Sequence, residues 1–224
     1  MWGGVLTEGG LLPKWSKPDS LSLGKRLDSM FKYGQRSQMR VAGGTAKGRR
    51  LKGTISPEAR PTTARVRGAI FNILSLQLYQ AGKVLDLYAG SGSLGIEALS
   101  RGARSADFVE QDRRQCGVIR ENLENTGFRE CADIICGSVD SVLARLVGPY
   151  QLVLLDPPYR LQNLDQILEE IASVPNLVED GGVVVAGHSS RQTLLPAYGS
   201  LQLMSQRRYG DNAVDFYRNE AKEN

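Results

Sequence analysis

The chain has 224 residues, of which 41% are hydrophobic and 23% are charged, and its net charge is +4. These values are typical of a soluble globular protein that has one sizeable core and room for a small appendage. The longest apolar runs have about six residues, far fewer than the roughly 20 that a membrane-spanning helix needs. We therefore expect no membrane partner.

The three cysteines, Cys116, Cys131 and Cys136, form no C-x-x-C pair, and the chain has a single histidine, His188. A structural metal site needs more such ligands at motif spacing, so we expect no bound metal. One cysteine must remain unpaired in any disulfide scheme, and disulfides are rare in reducing compartments. We therefore expect reduced thiols and a cytoplasmic location.

Residues 1–38 mix glycine, serine, lysine and leucine without a sustained period, which predicts a poorly ordered extension. One hypothesis is that Met39 is the natural start of the protein. Beyond this extension we expect a basic segment over residues 39–80, a larger domain over residues 81–218 and a short tail over residues 219–224.

Basic residues cluster between Met39 and Arg67, where eight lysines and arginines meet a single acid, Glu58. Such clustering points to a polyanion such as nucleic acid, although a solvated surface would also carry these charges. Short alternating stretches broken by glycines predict a small hairpin over residues 39–53, and apolar spacing predicts a helix over residues 64–78. The basic residues are Arg40, Lys47, Arg49, Arg50, Lys52, Arg60, Arg65 and Arg67.

After Gly82 the pattern alternates between strands and helices. Apolar strands that alternate with helices are typical of a parallel sheet covered on both faces, so we predict an α/β fold with a doubly wound sheet. A closing hairpin over residues 201–208 and 213–218 makes a mostly parallel sheet of seven strands. The other predicted strands cover residues 83–88, 105–110, 132–136, 150–155 and 182–186; the helices cover residues 93–100, 112–125, 139–146 and 164–172.

A glycine loop, Gly90-x-Gly92-x-x-Gly95, follows the first of these strands and opens a helix. Such a loop lets a ligand approach the backbone closely beside a helix N-terminus, and Glu110, at the end of the second strand, can accept hydrogen bonds from ribose hydroxyls. The loop and the acid therefore indicate a cofactor that contains a nucleoside. Asp86 precedes the glycines inside the strand, and a carboxylate there suits a cationic cofactor better than a pyrophosphate.

A second motif, Asp156-Pro157-Pro158-Tyr159, ends the fourth predicted strand. The two prolines fix two φ angles and remove two backbone donors, which makes a stiff loop with a carboxylate, free carbonyls and an aromatic ring. Such a loop can hold a planar group that has an exocyclic amine, although a simple strand end followed by a turn is the alternative. In a doubly wound fold this loop lies on the same edge of the sheet as the glycine loop.

This combination resembles the class I, Rossmann-like S-adenosylmethionine-dependent methyltransferases that methylate amino groups of bases. The whole pattern resembles the RsmD family, which methylates the N2 amine of a guanine in small-subunit (16S) ribosomal RNA. The residues that carry this resemblance are Met39–Leu51, Arg60–Arg67, Phe71-Asn72-Ile73-Leu74, Asp86–Ala103, Asp156–Tyr159 and Tyr209-Gly210-Asp211.

The resemblance implies a role for each set of residues. Asp156, Pro157, Pro158 and Tyr159 would be catalytic, with Asp156 and the Pro157 carbonyl holding the guanine amine and Tyr159 stacking on the base. S-adenosylmethionine would contact Asp86, Tyr88, Ala89, Gly90, Ser91, Gly92, Leu94, Glu110, Gln111 and Ser138. The RNA would contact Arg40, Lys47, Arg49, Arg50, Arg60, Arg65, Arg67 and Tyr209.

The chain also departs from the family pattern at three positions. Gly68 and Gly187 stand where the family usually has glutamate, and Ser138 stands where an acid commonly follows the third strand. The cofactor loop and the Asp156 loop are intact. The resemblance further implies a monomer that acts on ribosomal RNA within a 30S particle or an assembly intermediate.

Other functions compete with this one. An enzyme that methylates adenine or cytosine amines in another RNA or in DNA would need the same loop, since all three bases carry an exocyclic amine. A nicotinamide-dependent oxidoreductase would use the glycine loop, but it leaves Asp156–Tyr159 and the basic segment without a role. A non-catalytic RNA-binding factor in ribosome assembly is the third alternative.

Overall fold

The computed structural model describes residues 39–53, 64–74, 82–158, 161 and 163–220. The predictions for residues 1–38, for Arg60 and for Tyr159 lie outside these ranges. Within them, no helix has the length and apolar character that crossing a membrane would require.

The basic segment begins with a small hairpin, as predicted. Strand β1 (Met39–Arg40) pairs with β2 (Arg50–Leu51) in antiparallel register, with Met39 opposite Leu51. Helix α1 (Ala64–Ile73) follows. It buries Val66, Ile70 and Phe71 in a core that also contains residues of the hairpin and of the strands that follow.

The centre of the molecule is a mixed sheet of eight strands. Its strands are β3 (Lys83–Leu87), β4 (Ser105–Glu110), β5 (Ala132–Cys136), β6 (Tyr150–Leu155), β7 (Val178–Ser189), β8 (Ala197–Tyr198), β9 (Leu201–Tyr209) and β10 (Asn212–Asn219). They lie in the order β5-β4-β3-β6-β7-β10-β9-β8, with β3 to β7 parallel to one another and β8, β9 and β10 antiparallel to their neighbours. The carboxyl ends of β3, β4 and β6 therefore meet at one edge of the sheet.

Helices cover both faces of the sheet, which explains why its parallel strands are almost wholly apolar. These helices are α2 (Ser93–Ser100), α3 (Arg113–Thr126), α4 (Val139–Val142) and α5 (Leu164–Ser173). Helices α1, α2 and α3 pack on one face, whereas α4 and α5 pack on the other. The doubly wound α/β fold is confirmed.

Helix α3 shows how local sequence sets the ends of these elements. The side chain of Asp112 caps its N-terminus by accepting a hydrogen bond from Arg114 N at 2.8 Å, and such a cap satisfies a helical N–H that has no partner within the helix. Gly127 ends the helix with φ 83°, a left-handed conformation that glycine adopts without a Cβ clash.

Two elements differ from the prediction. Strand β7 has 12 residues, because its carboxyl half pairs with β10 from Val183 to Ser189 and so extends well past Ala186. The two-residue strand β8 pairs only with the start of β9, which raises the number of strands from seven to eight.

The structure pairs Cys116 with Cys136 in a disulfide, whereas Cys131 is free and exposed. The expected reduced state of the thiols in the cell stays a prediction. Strand β5 ends beside Glu110, and α3 starts just after Glu110. The Cα atoms of Cys116 and Cys136 are therefore 6.3 Å apart, which is within the usual range for a disulfide.

Candidate active site

Asp86 lies at the centre of the sheet's carboxyl edge. Asp86 is 1% exposed, and it is paired in register with Phe108 on β4 and with Leu154 on β6. Its Oδ2 atom accepts a hydrogen bond from Gly95 N, in the first turn of α2, at 2.8 Å. The carboxylate therefore fixes the start of α2 against the end of β3.

The chain turns sharply between Asp86 and α2. Tyr88, Gly90 and Gly92 have φ angles of 59°, 55° and 74°, values that glycine tolerates but that strain a residue such as tyrosine. A Cβ on Gly95 would lie 2.4 Å from Phe108 Cε1, so only glycine lets the helix approach β4 this closely. The result is a tight loop at the N-terminus of a helix.

Glu110 joins this loop to the next helix. Its Oε2 atom accepts from Gly90 N and its Oε1 atom accepts from Asp112 N, both at 2.8 Å. Each carboxylate oxygen can accept two hydrogen bonds, so Glu110 keeps acceptor capacity for two hydroxyls. The backbone carbonyl of Glu110 also accepts from Gly137 N at 3.0 Å, which places Ser138 beside the same crevice.

Asp156 follows β6 and reaches the same edge. It is partly buried, and a Cβ on Gly187 would lie 3.0 Å from its Oδ1 atom. Glycine at position 187 thus leaves the space that the Asp156 carboxylate uses. Pro157 is partly buried and Pro158 is exposed, while the Pro158 carbonyl accepts from Leu161 N at 2.8 Å.

The electrostatics of this edge favour a cation. Burial raises the pKa of Asp86 well above its ordinary value; the Gly95 N–H lowers it, and the charges of Asp156 and Glu110 raise it further. Burial also raises the pKa of Asp156 to about 7. Asp156 and Glu110 therefore lie close enough to Asp86 for their charges to act on it, and a positively charged ligand there would relieve both the desolvation and the repulsion.

The residues fit S-adenosylmethionine in three respects. The buried acid Asp86 suits its positively charged methionine part, the glycine loop admits close backbone contact, and Glu110 has acceptor capacity for its ribose. The remaining residues expected to contact this cofactor lie on the same edge of the sheet or close to it. They are Tyr88, Ala89, Gly90, Ser91, Gly92, Leu94, Gln111 and Ser138.

The basic residues predicted to contact RNA fall into two groups. Arg40, Lys47, Arg49 and Arg50 are exposed on the N-terminal hairpin. Arg49 donates to the carbonyl of Asn125, at the end of α3, at 3.0 Å. These four cations can meet phosphates, whereas the side chain of Arg65 lies outside the described part of the structure.

Arg67 was predicted to contact RNA at the surface, but it lies inside the protein. Its side chain is fully buried, its Nε atom lies 3.4 Å from Glu97 Oε2, and it donates to the carbonyl of Arg40. A buried guanidinium cannot reach an RNA phosphate, so we correct its assignment to that of an internal ion pair. The prediction failed because the partner acid lies on α2, far from Arg67 in the sequence.

The β9–β10 turn carries two arginines that we did not predict to contact RNA, beside Tyr209, which we did. Asn212 pairs with Ser189, at the carboxyl end of β7, so this turn lies on the same edge of the sheet as Asp156. Tyr209 is partly buried there, and Arg207 and Arg208 beside it are exposed. Two adjacent arginines are a sequence feature from which a basic surface at this turn could have been predicted.

The fold and the site together define a class I S-adenosylmethionine-dependent methyltransferase, and similar proteins bear this out. The family model described as "Conserved hypothetical protein 95" matches residues 39–218. The chain therefore belongs to this family, in agreement with the resemblance to the RsmD family.

Individual relatives agree. The chain is 36% identical over 183 residues to the "Putative rRNA methyltransferase YlbH" of Bacillus subtilis (strain 168), covering 80% of this chain and 98% of that protein. It is 39% identical over 145 residues to "Ribosomal RNA small subunit methyltransferase D" of Escherichia coli (strain K12), covering 65% and 69%. The solved structure "Putative methyltransferase yhhF from Escherichia coli" superimposes with a TM-score of 0.74 at 30% identity, covering 83% of this chain and 100% of that one.

Proposed function

We propose that the protein transfers the methyl group of S-adenosylmethionine to the exocyclic N2 amine of a guanine in small-subunit ribosomal RNA. The observation that carries this proposal is the position of Asp156: a carboxyl group with a raised pKa at the same edge of the sheet as Asp86, Glu110 and the glycine loop. The relatives named as ribosomal RNA methyltransferases support the choice of RNA.

The cofactor supplies an electrophilic methyl group bound to a positively charged sulfur. Asp86 places a buried negative charge where that cation binds, and Glu110 accepts hydrogen bonds from its ribose. The loop backbone at Gly90 and Gly92 admits close contact, since neither residue has a side chain. These residues fix the cofactor's position, which lowers the entropic part of the barrier.

The Asp156 loop would act on the guanine. The N2 amine is a weak nucleophile because its lone pair is delocalised into the ring. Hydrogen bonds from the amine to the Asp156 carboxylate and the Pro157 carbonyl orient that lone pair and favour the positive charge that develops on nitrogen. After transfer, the surplus proton leaves to Asp156 or to water.

The exposed cations of the N-terminal hairpin would bind the RNA backbone. Arg40, Lys47, Arg49 and Arg50 can each neutralise a phosphate without reading a base. A guanine inside a helix cannot reach a pocket at the sheet edge, so the target base must be unpaired or flipped. In this proposal Tyr159 replaces the stacking that the base loses.

We further propose that the enzyme acts as a monomer, in the cytoplasm, on RNA within a 30S particle or an assembly intermediate.

The test is transfer of a radiolabelled methyl group from S-adenosylmethionine to naked 16S ribosomal RNA, to 30S particles and to 23S ribosomal RNA as a specificity control. Incorporation into 16S RNA or 30S particles, and not into 23S RNA, supports the proposal. Incorporation into none of them, by a protein that binds the cofactor, would refute it.

A further inference from the structure

Asn122 lies in the middle of α3 and is completely buried. Its side-chain amide makes three hydrogen bonds to two separate parts of the chain. The Oδ1 atom accepts from Lys52 N at 2.7 Å, and the Nδ2 atom donates to the Lys52 carbonyl at 3.0 Å and to the Ser91 carbonyl at 2.9 Å. These bonds use three of the four that an asparagine amide can make.

The two parts that Asn122 joins have different proposed roles. Lys52 directly follows β2, so its backbone belongs to the basic hairpin (residues 39–53). Ser91 lies between Gly90 and Gly92, in the loop proposed to contact the cofactor. One buried amide therefore binds the backbone of the proposed RNA-binding element and the backbone of the proposed cofactor loop.

Further contacts hold the hairpin against α2, the helix that the glycine loop opens. Ala42 N donates to Glu97 Oε2 at 2.7 Å. Ser100 Oγ accepts from Ala46 N at 2.9 Å and donates to the Gly43 carbonyl at 2.6 Å. These contacts are made by backbone atoms of the hairpin, so its position depends on that of α2.

The packing leaves little room for the hairpin to move separately. A Cβ on Gly44 would lie 1.7 Å from the Ser100 carbonyl oxygen, and Met39 Sδ lies 3.7 Å from Ser91 Oγ. A cofactor that orders the glycine loop would thereby order the hairpin, and RNA that orders the hairpin would order the loop.

We propose that Asn122 is a positioning residue that couples RNA binding to cofactor binding. The proposal rests on the function proposed above, in which the hairpin binds RNA and the loop binds S-adenosylmethionine. Coupling between two sites is reciprocal: the cofactor must tighten RNA binding by the same factor by which RNA tightens cofactor binding. Known couplings of this kind amount to about 5-fold to 150-fold.

The experiment uses the full chain, S-adenosylhomocysteine and a 16S ribosomal RNA transcript. The Kd of each ligand is measured with and without a saturating amount of the other, for the unmodified protein, for Asn122→Ala and for Tyr150→Phe. Tyr150→Phe removes a buried hydrogen bond to Asp107 at the opposite edge of the sheet and serves as a control for lost stability. We expect at least about fivefold coupling in the unmodified protein and in Tyr150→Phe, and a factor near one in Asn122→Ala.

Hydrogen–deuterium exchange of the unmodified protein provides a second test that does not depend on the folding of any variant. Binding of S-adenosylhomocysteine should slow exchange of the Lys52 amide. Unchanged exchange there, or coupling that persists in a folded Asn122→Ala variant, overturns the inference while the proposed function stands. An unmodified protein that binds neither ligand overturns the proposed function instead.

Discussion

The two edges of the central sheet treat buried carboxyl groups differently. At the amino edge, the first residues of β3 and β6 give Asp107, which stands opposite Leu85 in the middle of β3, a cation and a hydroxyl. Lys83 Nζ lies 2.8 Å from its Oδ2 atom, and Tyr150 OH donates to the same atom at 2.6 Å. At the carboxyl edge, the acid Asp86 is met by the Gly95 N–H and by the charges of Asp156 and Glu110, and its pKa is raised.

This difference separates a structural charge from a functional one. The charge of Asp107 has its partners within the fold, so removing one member of this group leaves the others uncompensated. At the carboxyl edge the charges of Asp156 and Glu110 raise the pKa of Asp86, and a cationic ligand would balance them. The comparison therefore predicts that acids at the two edges will respond oppositely to substitution, with stability lost at one edge and catalysis at the other.

The largest effect is expected from Asp156→Ala. Removing the carboxylate takes away the acceptor that orients the amine, and loss of one such electrostatic contact typically slows catalysis by about 10²-fold to 10³-fold. Methyl transfer to 30S particles should fall at least that far, while the Kd of S-adenosylhomocysteine measured by calorimetry stays within about threefold. Full activity in this variant would sink the assigned role.

The next largest effect is expected from Asp86→Asn. The substitution keeps the shape of the side chain but removes the charge that faces the cationic cofactor, which should weaken binding of S-adenosylmethionine by about 10-fold to 100-fold. Calorimetry checks the change. S-adenosylhomocysteine, which lacks the sulfonium charge, should lose less affinity than S-adenosylmethionine does.

Asp107→Asn is the matched change at the other edge. It breaks the ion pair with Lys83, so the free energy of unfolding should fall by about 1.5–3 kcal/mol, visible as a lower Tm. Cofactor affinity should remain as in the unmodified protein. If Asp107→Asn weakened cofactor binding as much as Asp86→Asn, the contrast between the two edges would be wrong.

The pH dependence of catalysis tests the role of Asp156 separately. Because burial raises the pKa of Asp156 to about 7, the carboxyl becomes protonated below that pH. It then lacks the negative charge that favours the cation developing on the amine, and it cannot take up the surplus proton. The ratio kcat/KM, which reports the free enzyme, should therefore fall about tenfold per pH unit below 7 and level off above it.

Stability should change in the opposite direction. A carboxyl whose folded-state pKa lies above its ordinary value stabilises the fold at acidic pH and loses that contribution as the pH rises through 7. Denaturation of the unmodified protein across pH 5 to 8 measures this contribution to the free energy of unfolding.

A kcat/KM that is constant from pH 5.5 to 7 would contradict the assignment of Asp156.

The smallest effect is expected from single cations of the hairpin. Arg50→Ala removes one phosphate contact, so RNA binding should weaken uniformly across sequences, and the slope of log Kd against log salt should fall by about one. Arg218→Ala is the charge-matched control, since Arg218 is exposed but pairs with Val183, away from the carboxyl edge. Equal effects of both variants would mean that the hairpin holds no special RNA surface.

Much of the site could be predicted because its signals are local. The glycine loop, Glu110 and the Asp156 loop each follow a strand within a few residues, and parallel strands bring such ends to one edge. The helix caps at Asp112 and Gly127 are local as well. These features need only neighbouring residues and the rule that governs parallel sheets.

The rest depends on contacts between distant segments. Arg67 was wrongly predicted to contact RNA because its partner Glu97 lies on another helix. The partners of Asn122 also lie in distant segments, so nothing near it in the sequence marks it as buried. The carboxyl end of β7 depends on its pairing with β10. The disulfide depends on α3 starting beside the end of β5. The raised pKa of Asp156 likewise comes from burial, which a motif does not specify.

The most direct test of the central claim is identification of the methylated nucleoside. After transfer to 30S particles by the unmodified protein, the RNA is digested to nucleosides and analysed by mass spectrometry, with Asp156→Ala as the control. The account predicts N2-methylguanosine in the first sample and its absence in the second. N6-methyladenosine, a methylated cytosine, or equal amounts of N2-methylguanosine in both samples would contradict it.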